Sequence, residues 1–163
     1  MTQALRNSGV DASVSGLETE NVGTGQLGET RRFHIEYAGP VPADAPSSLV
    51  GKFPSDNEVA STTGKDMGFY RAEVMFYREA AHRAVIKTPA VYVAEMDEQT
   101  RDFVLLLEDM APAQPGDQMR GCSLADARLA LAEAAKLHAA FWNDTELMAQ
   151  DWLYVPEGAQ GFY

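Results

Sequence analysis

The sequence predicts an α+β fold: an antiparallel sheet of about five strands with one packed helix, followed by the first helices of a second, helical part. Three observations carry that prediction. In Thr30-Arg31-Arg32-Phe33-His34-Ile35-Glu36-Tyr37, the apolar Phe33, Ile35 and Tyr37 fall on one face, the period of a half-buried strand. Further on, Phe69, Tyr70, Glu73, Val74, Phe76, Tyr77 and Ala80 recur at helical spacing. The run Phe103-Val104-Leu105-Leu106-Leu107 is too apolar for a half-exposed strand, so both of its faces should be covered.

Taken in order, residues 1–12 are mixed and polar and read as a frayed start or one short turn. Residues 14–22 alternate weakly and form a first strand, which leads through a glycine-rich turn into the strand at 30–37 as a hairpin. Residues 39–46 are dense in Gly, Pro and Asp and make a connection. A third strand follows over 48–53 and is stopped by Pro54. Polar residues 55–66 read as a loop before the helix of Phe69 and Ala80. Pro89 breaks what comes after it, and strands at 90–95 and 101–108 flank the polar turn 96–100 as a second hairpin.

Pro112, Pro115 and Gly116 punctuate the chain and place a boundary between a region 1–110 and a region 111–163. Beyond it Ser123 begins a long helix, with Asp126 three residues on as the partner in a capping box. Leu124, Ala127, Leu131, Ala134, Leu137, His138 and Phe141 lie along one apolar face of that helix, and its many alanines favour it further. Residues 151–163 show no period and read as irregular, and no internal repeat or low-complexity tract is visible.

A chain of 163 residues buries roughly 68–70% of its unfolded surface and needs no staple to hold a core. Its 13 basic and 24 acidic side chains give a net charge of -11, which argues against a nucleic-acid partner, whose binding rests on neutralised phosphates. An anion site in such a chain needs positive potential gathered locally. Cys122 is the only cysteine, so no internal disulfide forms, and it reads as a small packing residue. The start lacks the pattern of a secretory signal, and no segment approaches the roughly 18 apolar residues of a membrane helix. A cytoplasmic protein with no membrane partner is the expectation.

Gly23-Thr24-Gly25-Gln26-Leu27-Gly28 is a nucleotide-type glycine pattern, but a dinucleotide fold would continue it into a helix, whereas here it continues into a strand. A glycine loop between two strands, then Lys52 on a later strand and Glu73 on the next helix, is the order of parts in a kinase nucleotide lobe. That order points to ATP. Gly23, Gly25 and Gly28, with Gln26 among them, let backbone amides lie close over phosphates. A hairpin loop needs such glycines without any ligand, and that reading stands beside the first.

Val50 and Lys52 are two apart on a strand and share a face, as the residue that lines the base and the lysine that meets the phosphates do in a kinase. A lone ammonium on a buried sheet face would lose several kcal/mol of hydration, so it needs a carboxylate, and Glu73 is the candidate. Glu79 competes for that role, and Glu73 as a solvated flank is the alternative. The end of the apolar strand is similar to the place where a kinase sheet runs into the hinge between lobes and reads adenine by backbone, which makes the Glu108 carbonyl and Met110 amide candidates to bond the base, with Leu107 guarding the pocket behind it. Alternatively, Glu108 and Asp109 only mark where the strand meets water.

His138, beside Leu137, Phe141 and Trp142, reads as a satisfied core histidine rather than a general base. His34 and His82 have no ligand spacing, so no metal site is expected within the chain. Trp142, Trp152 and the seven methionines read as packing rather than stacking platforms.

With these residues assembled, the chain resembles the N-terminal part of the aminoglycoside phosphotransferase family, in particular its choline-kinase-like and ecdysteroid-kinase-like bacterial relatives. The resemblance runs over about residues 20–143. It is carried by the glycine loop, Val50-Gly51-Lys52, Tyr70-Arg71-Ala72-Glu73-Val74-Met75-Phe76-Tyr77, Leu105-Leu106-Leu107-Glu108-Asp109-Met110 and Leu137-His138-Ala139-Ala140-Phe141-Trp142. It implies a protein-kinase-like fold, with 1–110 as the nucleotide lobe and 111–163 as the start of the helical lobe. The implied activity is magnesium-dependent transfer of the ATP γ-phosphoryl group to a hydroxyl of a small-molecule acceptor. Lys52 would orient phosphates and Glu73 would hold Lys52.

The family carries its base in a His-x-Asp segment and its metal ligand in a later Asp. His138 is followed by Ala139 and Ala140 and supplies neither. The resemblance therefore implies an ATP-binding portion that is inactive alone, its Mg2+ ligands lying outside these residues. The acceptor stays open, because the family reads it with the following lobe. The rival expectation is a non-catalytic module that uses the bared Leu131 and Phe141 face of the long helix for self-association or a protein partner.

Overall fold

A five-stranded antiparallel sheet forms the centre of the chain: β1 (Ser13–Asn21), β2 (Gly28–Ala38), β3 (Ser48–Pro54), β4 (Val91–Met96) and β5 (Phe103–Glu108), in spatial order β1-β2-β3-β5-β4. The computed structural model describes residues 1–153 apart from Thr24, Pro115 and Gln118. Thr24 of the glycine pattern, Pro115 of the expected boundary and the expected irregular stretch from residue 154 onward lie outside the described residues. Helices α1 (Thr2–Asn7), α2 (Glu58–Asp66), α3 (Phe69–Met75), α4 (Leu124–Ala140) and α5 (Thr145–Met148) complete the α+β architecture.

The pleat of β5 divides the core in two. Leu106 faces one way, with Leu49 of β3, and meets Leu5, Ala4, Val10 and Ala12 from the start of the chain. Leu105 and Leu107 face the other way and meet Tyr70 and Val74 of α3. Both faces of this strand are therefore covered, as its unbroken apolar run requires. Of the two expectations for residues 1–12, a frayed start or one short turn, the residues that cover the first face rule out the frayed start. Thr2–Asn7 is a helix whose Leu5 is fully buried. Its six residues are too few to show a period, and it is held by what it packs against rather than by propensity.

Three further expectations change. The polar stretch 55–66 contains α2, started by Asn57, whose side-chain oxygen accepts from the Ala60 amide at 3.1 Å. Thr, Gly and Asp are weak helix formers, which hid it. The helix expected from Phe69 to Ala80 is α-helical only as far as Met75, then continues as a π turn (Phe76–Ala80) and a 3-10 turn (Ala81–Arg83). Finally, α4 has its Ser123–Asp126 capping box, but no residue of it is buried. Leu131 is 71% exposed, in line with the expectation of a bared face, whereas His138 and Cys122, expected to pack, are exposed. Of the two tryptophans Trp152 is buried, while Trp142 is 77% exposed.

The chain after α4 returns to α3 and its continuation. Arg83 pairs with Asp144 and lies over the Phe141 ring at 5.4 Å. The Trp152 indole N–H donates to Glu79 Oε2 at 2.8 Å, and Arg71 pairs with Asp151 at 3.0 Å. No helix among the described residues is long and apolar enough to cross a membrane.

Candidate functional site

Residues 22–27 join β1 to β2, and the hairpin is closed below them by the Val22 amide on the Thr30 carbonyl at 2.9 Å. Gly23 has φ +77, a left-handed conformation that side chains disfavour. A Cβ on Gly25 would stand 2.6 Å from the Gly28 carbonyl oxygen, so the loop folds on itself more closely than alanine allows. These two glycines are thus required by the turn itself. Gly23, Gly25 and Gly28 also line a cavity of about 150 Å3 with Asn21, Val22, Glu29 and Thr30. Gln26 is exposed in the same loop. That volume is smaller than the roughly 300–1,000 Å3 that encloses a whole small ligand.

Thr30 links this cavity to β3. It pairs with Lys52 across the ladder, and residues directly opposite share a face of the sheet. On its other side Lys52 is opposite Leu105, and Val50 is opposite Leu107. Lys52, Val50, Leu105 and Leu107 therefore stand on the face that α3 covers. From α3 the Glu73 carboxylate reaches the Lys52 ammonium in an ion pair, each side chain about one-third exposed at 31% and 33%. Glu79, the competing carboxylate, is engaged by Trp152 instead. Burial, with the Glu73 charge nearby, raises the Tyr77 hydroxyl above its ordinary range.

Gly51, between Val50 and Lys52, points to the opposite face. A Cβ there would stand 2.7 Å from the Phe33 ring and 2.8 Å from the Phe53 ring. The two rings meet edge to face at 6.1 Å, and Gly51 leaves the space for them.

At the end of β5 the residues proposed for the base sit in a bonded corner. The Glu108 side chain accepts from the Ala90 amide at 3.0 Å, and the Met110 carbonyl accepts from the Ala113 amide at 2.9 Å. Asp109 turns inward. Arg32 donates to it through Nε at 2.6 Å, Ser48 through its hydroxyl at 2.7 Å and Ala111 through its amide at 3.1 Å. Burial pushes the Asp109 carboxyl up, but these bonds outweigh it and hold it below its ordinary value. Arg32 also bonds Glu20 at 2.6 Å, so one guanidinium ties β1, β2 and the chain after β5 together. Neither Arg32 nor Ser48 stood out in the sequence. A lone arginine in an alternating strand looks like a solvated flank until its partner 77 residues away is known.

Tyr70 was also missed in this role. Its hydroxyl donates to the Leu27 carbonyl of the glycine loop and accepts from the Ser55 amide at 3.3 Å. Among the described residues no group of three or more His, Cys, Asp and Glu side chains is arranged to hold a metal. No protein-family model matches the chain, and no curated protein matches it.

Proposed function

We propose that this chain is the ATP-binding portion of a small-molecule phosphotransferase, a kinase-like nucleotide lobe that presents Mg-ATP for transfer of its γ-phosphoryl group to a substrate hydroxyl. The observation that carries the reading is the Lys52–Glu73 ion pair, one cross-strand step from the glycine-lined cavity through Thr30. A cavity of that size takes phosphates, so the base lies outside it, over Val50 and Leu107 and toward Glu108 and Met110. In this reading Lys52 orients phosphates as a point charge, Glu73 fixes its direction, and the loop amides supply the remaining positive potential in a chain of net charge -11.

Phosphoryl transfer draws its acceleration from positioning and charge stabilisation. The chain supplies positioning of the donor. Its three histidines form no His-x-Asp segment, and the described residues gather no metal site, so base and Mg2+ ligands come from elsewhere in the reading. A cytoplasmic setting, where ATP is abundant, belongs to the same proposal.

A second reading, a non-catalytic nucleotide-binding or protein-interaction module, is favoured by one feature: Leu124, Leu129, Leu131 and Trp142 are all exposed on α4 and just after it. Thermal unfolding with and without Mg-ATP tests the first reading. A ligand near a hundred times its Kd stabilises by about 2.7 kcal/mol, so the wild-type midpoint should rise. Lys52→Ala should abolish most of the rise. A wild-type protein unmoved by millimolar Mg-ATP contradicts the nucleotide reading and leaves the interaction module.

A further inference from the structure

Tyr70 and Glu73 are three residues apart on α3 and therefore lie on the same side of that helix. Glu73 holds Lys52, and the Tyr70 hydroxyl holds the Leu27 carbonyl. A trans peptide points its C=O and the following N–H in opposite directions, so capture of the Leu27 carbonyl turns the Gly28 amide away from Tyr70. Gly28 lines the loop cavity, and Gly25 folds against the Gly28 carbonyl. The orientation of one peptide is thus passed on to the rest of the loop.

The ring that carries this hydroxyl has little freedom to move. It is 4% exposed and lies 4.6 Å from the Phe103 ring. Gly64 of α2 also comes so close that a Cβ there would stand 2.4 Å from the ring.

We propose that Tyr70 is a positioning residue for phosphate, fixing the glycine loop to the same helix that fixes Lys52, so that loop and ammonium converge on one anion. The proposal rests on the nucleotide reading above. Because the hydroxyl acts on the loop and not on the surface beneath the base, its loss should weaken ligands that carry phosphates and leave adenosine alone.

Tyr70→Phe removes the hydroxyl and keeps the ring. Two measurements on this variant separate the claims. In hydrogen exchange on the free protein, the Val22 amide, which closes the loop on the Thr30 carbonyl, should lose protection while those of β4 and β5 keep theirs. By calorimetric titration with Mg2+ present, ATP and ADP should bind about five- to tenfold more weakly, with adenosine unchanged. Unchanged loop exchange overturns the pin whatever the nucleotide does, and so does an equal weakening of adenosine, which would mark a general packing effect. A wild-type protein that binds neither ATP nor ADP, with loop exchange still responding to Tyr70→Phe, overturns the phosphate role through the nucleotide reading and not through the pin.

Discussion

Asp109 shows how one side chain can be placed by groups far from it in sequence. Its carboxylate is only 7% exposed, and three donors from three parts of the chain, Arg32, Ser48 and the Ala111 amide, converge on it. Since these bonds favour the ionised form, its folded value lies below its unfolded value near pH 4. It therefore contributes stability that is complete above about pH 4 and is lost as pH falls through the folded value. Asp109→Asn should cost about 1.5–3 kcal/mol in urea unfolding at neutral pH. The gap between wild type and variant should narrow on acidification toward pH 3, and a gap that stays constant would show that ionisation of Asp109 contributes nothing. Lys52 and Glu73 were legible because a half-buried cation on the apolar face of a sheet calls for a carboxylate, and a helix after β3 offered one. Asp109 was not, because a short acidic side chain at a strand end looks the same whether it meets water or a guanidinium.

At the scale of elements, β3 shows what alternation reveals and what it hides. Val50 and Lys52 announce one face, and Gly51 between them looks like a weak point in the strand. In the structure it is the place where two aromatic rings meet, and it should not tolerate a methyl group. Gly51→Ala is expected to destabilise by about 1–3 kcal/mol, the range for overpacking, with urea or thermal unfolding as the readout. A neutral or stabilising alanine would mean that Phe33 and Phe53 part without cost. The strands were readable to within a few residues because sidedness is written in a period of two. The helices were less so. Packing stabilises α1 where propensity and period do not, a single asparagine cap starts α2, and α4 has an apolar stripe that none of the described residues buries. His138 was expected in a core on the strength of that stripe, and it is exposed for the same reason that Leu131 is.

Across the whole molecule, the segment after α4 is tied to α3 and its π and 3-10 continuation by Arg83–Asp144, Arg71–Asp151 and Trp152–Glu79. Trp152, 5% exposed, is its apolar anchor. Trp152→Ala should cost about 3 kcal/mol and speed proteolytic cleavage between residues 141 and 153 before the sheet is attacked. Equal cleavage rates would show that the segment is held without its tryptophan. None of these ties was visible in advance, since each joins residues with no shared period and more than sixty positions apart. They matter to the site because α3 carries both Glu73 and Tyr70.

The convergence of glycine loop, Lys52 and the end of β5 on one nucleotide is the central claim, and amide chemical-shift mapping with Mg-ATP measures it at each residue. Shifts are expected to concentrate at Gly23, Gly25, Gly28, Lys52 and Met110, with those at the glycines lost in Lys52→Ala. No shifts at saturating Mg-ATP, or shifts confined to α4, would contradict it.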